Sequence, residues 1–102
     1  MSARHSPRPL AEQVLVITGA SSGIGLATAR IAARRGARVL LVSRDETDLA
    51  TACDELRAAG FDVDYAVADV ADKGALERAA EHAVRRFGGI DTWVNNAGVS
   101  IY

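Results

Sequence analysis

A doubly wound α/β fold, one parallel sheet with helices on both faces, is predicted by three features of the sequence. Short apolar runs without polar alternation, Val14 to Ile17 and Val39 to Val42, recur at the separation of a strand, a crossover and a strand. The stretches that follow such runs carry apolar residues at helical spacing and close on glycine, at Gly36, Gly60 and Gly88-Gly89. The first run leads directly into a glycine-rich turn, Thr18-Gly19-Ala20-Ser21-Ser22-Gly23-Ile24-Gly25, at the start of a helix.

The elements follow in order. Strand one is expected over 14–18, and helix one from about residue 23 to residue 35, where Gly36 stops it. The continuously apolar 39–42 reads as a second strand buried on both faces. Helix two, about 46–59, carries Leu49, Ala52, Cys53 and Leu56 on one face, which makes Cys53 a core residue, and Asp45 is its expected N-cap. Strand three, 63–67, alternates Val63, Tyr65 and Val67 with Asp64 and Ala66, as suits an edge strand. Helix three, about 73–87, is capped by Asp72, and its expected stripe is Leu76, Ala80, Ala83, Val84 and Phe87. Strand four is expected over 91–95.

The pattern β-α-β-α-β-α-β amounts to one mononucleotide-binding half with an extra strand. Right-handed crossovers give the strand order 3-2-1-4, put helices one and two on one face and helix three on the other, and open a crevice where the order reverses. Gly19 and the segment from Asn95 to Gly98 should meet there, at the carboxyl ends of the strands.

Composition narrows the class of protein. A chain of 102 residues is at most one domain, and 49% hydrophobic residues suffice for a core, although a domain this small buries only about two-thirds of its unfolded surface. Residues 1–12, with Arg4, Pro7, Arg8 and Pro9 and no hydrophobic signal region, read as a flexible N-terminal tail; 13–102 reads as a partial dinucleotide-binding domain. A net charge of −1 with scattered arginines gives no reason to expect a nucleic acid or an anionic membrane as partner. No apolar stretch approaches the roughly 20 residues of a membrane span. Cys53 is the only cysteine, so no disulfide can form within the chain, and a reducing cytoplasm is the expected compartment.

The glycine turn is suited to phosphate. Gly19 can adopt the angles of a tight turn, Gly23 lets the backbone approach a ligand, and Gly25 is expected to let the helix pack on the strand. Thr28 stands where the common G-x-G-x-x-G fingerprint places Gly or Ala, and no Gly-Lys-Ser/Thr follows, which excludes a P-loop.

The octad Thr18 to Gly25 resembles the T-G-x-x-x-G-x-G cofactor turn of the short-chain dehydrogenase/reductase family, and Asn95-Asn96-Ala97-Gly98 resembles its N-N-A-G motif. Both occur in order, each after an expected strand, and the resemblance runs from about Gln13 to the end of the chain. It implies that the turn, with Gly19, Ser21, Ser22, Gly23, Ile24 and Gly25, holds a pyrophosphate, with hydroxyl or amide donors from the serines. It implies too that Asn95 ties strand ends together while Asn96, Ala97 and Gly98 line the adenosine ribose. Asp69, with Val70 beside it, matches an acceptor for the adenine amino group; a loop or helix-capping role is the equal alternative.

The choice of dinucleotide falls at the end of strand two. NAD binders place an acidic side chain there for the ribose 2′-hydroxyl; this chain has Ser43 followed by Arg44, a side chain that forks onto phosphate. NADP is therefore expected over NAD. The other reading makes Arg44 a solvated cation and lets Asp45 reach back to the ribose.

The family's proton-transfer pair is a tyrosine followed four residues later by lysine. Here Asp69 stands four residues after Tyr65, the single lysine is Lys73, and Tyr102 is the last residue, so no catalytic residue is assigned. Ser100 is too close to the N-N-A-G motif to be the family's catalytic serine. His82, among charged residues, reads as a solvated surface histidine and His5 lies in the tail; neither has metal-ligand spacing to a partner. The resemblance thus implies the cofactor half of an oxidoreductase moving hydride between nicotinamide and a small carbonyl or alcohol substrate, truncated after strand four. A non-catalytic NADP(H)-binding or interaction module, or an inactive fragment, is the alternative. The bare fourth strand invites self-association.

Overall fold

The computed structural model describes residues 8–96. A 3-10 turn, Leu10–Glu12, precedes β1 (Val14–Thr18), α1 (Gly23–Arg34), β2 (Arg38–Ser43), α2 (Glu46–Ala58), β3 (Val63–Val67), α3 (Lys73–Phe87) and β4 (Thr92–Asn95). The four strands form one parallel sheet in the order β3-β2-β1-β4. This is the Rossmann-like half that the alternation of elements implies.

The helix ends obey the local chemistry. Asp45 and Asp72 accept the backbone N–H groups of Asp48 and Ala75, each at 3.1 Å, and so cap α2 and α3. α1 and α2 each end one residue earlier than expected, with Arg35 and Ala59 as C-caps. β2 is longer by a residue at each end, because Arg38 and Ser43 still pair with its neighbours. β4 begins at Thr92, since the Asp91 carboxylate turns back to accept the Val14 N–H at 2.8 Å and the Arg8 guanidinium at 2.7 and 2.8 Å. Gln13 joins this clasp through Arg8 O and Thr92 Oγ1, so the described part of the N-terminal segment is tied to the base of the sheet.

Two apolar layers enclose the sheet. Leu15, Ile17, Val39, Leu41 and Val63 pack with Ala29, Ala33, Leu49, Cys53 and Leu56 of α1 and α2. Val14, Val16, Leu40 and Val42 pack on the other face with Ala79, Ala83 and Phe87 of α3. Burial within the first layer pushes the Cys53 thiol pKa up.

Two sequence expectations are corrected here. The packing stripe of α3 runs through Ala75, Leu76, Ala79, Ala83 and Phe87; of the expected residues, Ala80 lies outside this cluster and Val84 is 50% exposed. Alanines at four-residue spacing let the helix approach the β-branched strand residues closely, which turns Val84 outward. His82 is only partly solvated and has a partner: its side chain is 35% exposed and its Nε2 lies 2.8 Å from Asp64 Oδ2 on β3.

Candidate functional site

The carboxyl ends of the four strands bring together residues far apart in sequence. Thr18 and Asn95 are register partners at the ends of β1 and β4. The Thr18 hydroxyl donates to Asn95 Oδ1 at 2.7 Å and accepts the Asn96 N–H at 3.1 Å. Asn95 thus ties strand ends, as the resemblance implies, and its partner is Thr18, a residue to which the resemblance assigns no role. The available signal was position: Thr18 is the last residue of the apolar run and has a hydroxyl at the crevice.

Between β1 and α1 the glycine turn is held open by its own backbone. Gly19 and Gly23 have φ of +63° and +59°, a left-handed conformation that favours glycine. A Cβ on Gly23 would meet nothing within 4 Å, so the turn faces open space there. A Cβ on Gly25 would fall on the Gly19 carbonyl oxygen. Gly25 therefore lets the first turn of α1 sit on the glycine turn itself; helix-to-strand packing was the expected reason, and the obstructing atoms belong to Gly19 and Ala20.

The start of α1 differs from the starts of α2 and α3. Ser22 occupies its N-cap, with no hydrogen bond from the side chain. The first N–H groups of a helix have no partner within it and carry a partial positive charge, so those of Gly23, Ile24 and Gly25 lack the side-chain cap that Asp45 and Asp72 supply to α2 and α3. Ile24 is 78% exposed beside them, a large apolar side chain at the mouth of the turn.

The end of β2 closes the same site from the other side. Ser21 Oγ and Ser43 Oγ are 2.9 Å apart, and Ser43 Oγ also accepts the Asp45 N–H at 3.1 Å. Asp45 is occupied in turn as the cap of α2. The Arg44 side chain is 80% exposed and its Nη1 stands 3.7 Å from Asp69 Oδ2, a solvated pair too long to hold the guanidinium firmly. Asp69 Oδ1 accepts the Ala71 N–H at 2.9 Å, and Asp69 O accepts the Asp72 N–H at 2.9 Å. Asp69 thus has the turn-forming role and still presents one carboxylate oxygen. Val70, half-buried, follows it.

Asn96 Nδ2 is buried and has no hydrogen-bond partner among the described residues. A buried amide donor at a crevice calls for an acceptor, since leaving it unmade is costly. The expectations for Ala97, Gly98, Ser100, Tyr102 and His5 lie outside the described residues. Among the described residues, no group of three or more His, Cys, Asp or Glu side chains could hold a metal ion, and no helix is long and apolar enough to cross a membrane.

A parallel sheet with an uncapped glycine turn at the point where strand order reverses defines a dinucleotide-type α/β domain. The short chain dehydrogenase family model matches residues 13–102, and the chain belongs to that family. It is similar to the uncharacterized oxidoreductase YxnA of Bacillus subtilis, 50% identical over 95 residues that make up 93% of this chain and 27% of that protein. L-sorbose reductase from Gluconobacter frateurii, solved with NADPH and L-sorbose, superposes with a TM-score of 0.82 at 41% identity, covering 87% of this chain and 34% of that one. A short chain dehydrogenase/reductase from Burkholderia phymatum, solved with NAD, superposes with a TM-score of 0.75 at 40% identity, covering 76% and 28%. The chain therefore spans between about a quarter and a third of the length of these relatives.

Proposed function

We propose that residues 13–102 are the NADP-binding half of an oxidoreductase that transfers hydride between nicotinamide and a carbonyl or alcohol carbon. The observation that carries this reading is the Gly19–Gly25 turn, open at Gly23 and uncapped at the start of α1, with Ser43 and Arg44 beside it at the end of β2. The residues fit the group: the turn leaves space where a Cβ would stand, and Asn96 Nδ2 lacks an acceptor.

In this reading the N–H groups of the first turn of α1 bind the pyrophosphate, with Ser21 and Ser22 at its flank. Arg44 forks onto the ribose 2′-phosphate, and Ser43 replaces the carboxylate that would repel it. Asp69 Oδ2 and Val70 border the adenine, and Asn96, Ala97 and Gly98 line its ribose. Bound NADP supplies the hydride chemistry, and these residues hold and orient it. The neighbours hold NADPH in one case and NAD in the other, so the fold alone does not choose; Ser43 and Arg44 support NADP.

Residues 1–102 contain no tyrosine followed four residues later by lysine, which favours binding as their own activity and leaves a non-catalytic NADP(H)-binding module as the second reading. Small-molecule substrates, a cytoplasmic location and self-association through β4 belong to the same proposal. Its test is NADPH fluorescence on addition of the chain. Saturable enhancement is expected, and an unchanged spectrum at excess protein contradicts both readings.

A further inference from the structure

The outer edge of β3 is occupied by side chains. The bonds from Val39 N to Asp62 O at 3.2 Å and from Ala68 N to Ser43 O at 2.8 Å turn the even-numbered backbone groups of this strand toward β2. The N–H and C=O groups of Val63, Tyr65 and Val67 consequently face outward. Bare groups of this kind are a template for a strand from another chain.

Arg57 on α2 donates Nε to Val63 O at 3.1 Å, and Asp64 Oδ1 accepts the Tyr65 N–H at 2.8 Å. Two consecutive outward backbone sites are thereby filled. The filling groups are themselves held: Arg57 Nη2 donates to Asp64 Oδ1 at 2.9 Å, and His82 Nε2 lies 2.8 Å from Asp64 Oδ2. Arg86 adds Nε at 3.7 Å from Asp64 Oδ2 and bonds Asp62 Oδ1 through Nη2 at 3.0 Å. Arg57 comes from one helix layer and His82 and Arg86 from the other, so the network wraps the edge from both faces of the sheet. The Asp64 side chain at its centre is only 18% exposed, unlike an ordinary solvated edge charge.

We propose that Arg57 and Asp64, held by His82 and Arg86, form a plug that refuses strand addition at β3 and confines any extension of the sheet to β4. A peptide or a second copy adding to β3 must first displace Arg57 from Val63 O and Asp64 from Tyr65 N–H.

Backbone amide exchange of the folded chain tests it, after correction for intrinsic rates. Tyr65 N–H should exchange at least tenfold more slowly than Val67 N–H, which faces the same way with no side-chain acceptor among the described residues. Asp64→Ala should remove that tenfold protection while the Leu41 amide, inside the sheet, is unchanged; Asp64→Asn, which keeps an acceptor oxygen, should retain most of it. Equal rates for Tyr65 and Val67 in the parent chain, or an unaltered Tyr65 in a folded Asp64→Ala chain, overturn the proposal. Sedimentation of Arg57→Ala provides a second readout that does not depend on the Asp64 variant folding. It should shift to larger species than the parent and an Arg34→Ala control at the same concentration, and identical sedimentation of all three overturns the proposal.

Discussion

The Thr18 hydroxyl joins Asn95 Oδ1 at 2.7 Å and so fastens the end of β1 to the end of β4 at the mouth of the crevice. Thr18 is fully buried, and the same oxygen accepts the Asn96 N–H. Thr18→Val keeps the shape and removes both bonds, leaving Asn95 Oδ1 and the Asn96 N–H without this partner. Urea unfolding should show a loss of about 1–2 kcal/mol, the usual net contribution of two hydrogen bonds at a part-buried site. Thr18→Ser should recover most of it.

Gly25→Ala addresses the turn directly. The new methyl group meets the Gly19 carbonyl oxygen, which is backbone and cannot swing aside, so α1 must lift from the turn. NADPH affinity should fall by at least tenfold while circular dichroism keeps its α/β shape. Gly60→Ala, which introduces left-handed strain at φ +94° but meets no atom within 4 Å, should lower stability and leave affinity within about twofold.

These two positions show what the sequence makes legible. Strand order, the side of the sheet that each helix covers and the position of the crevice follow from apolar runs, glycine stops and crossover handedness, all legible in the sequence. Thr18 was not, because its role depends on cross-strand register with a residue 77 positions away. His82 was misread for the same reason: its partner, Asp64, stands on a different element. The α3 stripe failed on another count, since the close approach depends on alanine size at residues 75, 79 and 83, whereas a hydropathy reading favours Val84. At the site, Gly23 and Gly25 could be picked out by spacing, but which atoms need each glycine could not.

The pH dependence of stability follows from two carboxylates. Partial burial pushes Asp64 up, but hydrogen bonds from His82 and the Tyr65 amide, with the charges of His82 and Arg57, outweigh it and hold the group below its ordinary range. The Val14 N–H and then Arg8 do the same for Asp91. A carboxyl whose folded pKa is depressed stabilises the fold fully above its unfolded value, about 3.9, and loses that contribution as pH falls through the folded value. The urea midpoint should therefore drop between pH 6 and pH 3. Asp64→Asn and Asp91→Asn should each lower it at pH 6 and flatten the decline; an unchanged slope in both would contradict the assignment.

Cys53 lies in the α1–α2 layer, fully buried, with its thiol pKa raised by burial. Both effects suppress the reactive thiolate. Labelling by an aromatic disulfide reagent at pH 8 should be at least 100-fold slower in the native chain than in urea, and the rate should track unfolding when urea is titrated.

The assignment of the site as an NADP site depends most on Arg44, whose exposed guanidinium stands at the end of β2 beside Ser43 and Asp69. Calorimetric titration of NADPH and NADH into the chain and into Arg44→Asp measures it directly. The parent should bind NADPH more tightly, and the variant should lose about 10- to 100-fold for NADPH, as expected for charge-assisted bonds to phosphate, with NADH changed by less than about threefold. Equal losses for the two dinucleotides, or a parent chain that prefers NADH, would contradict the account.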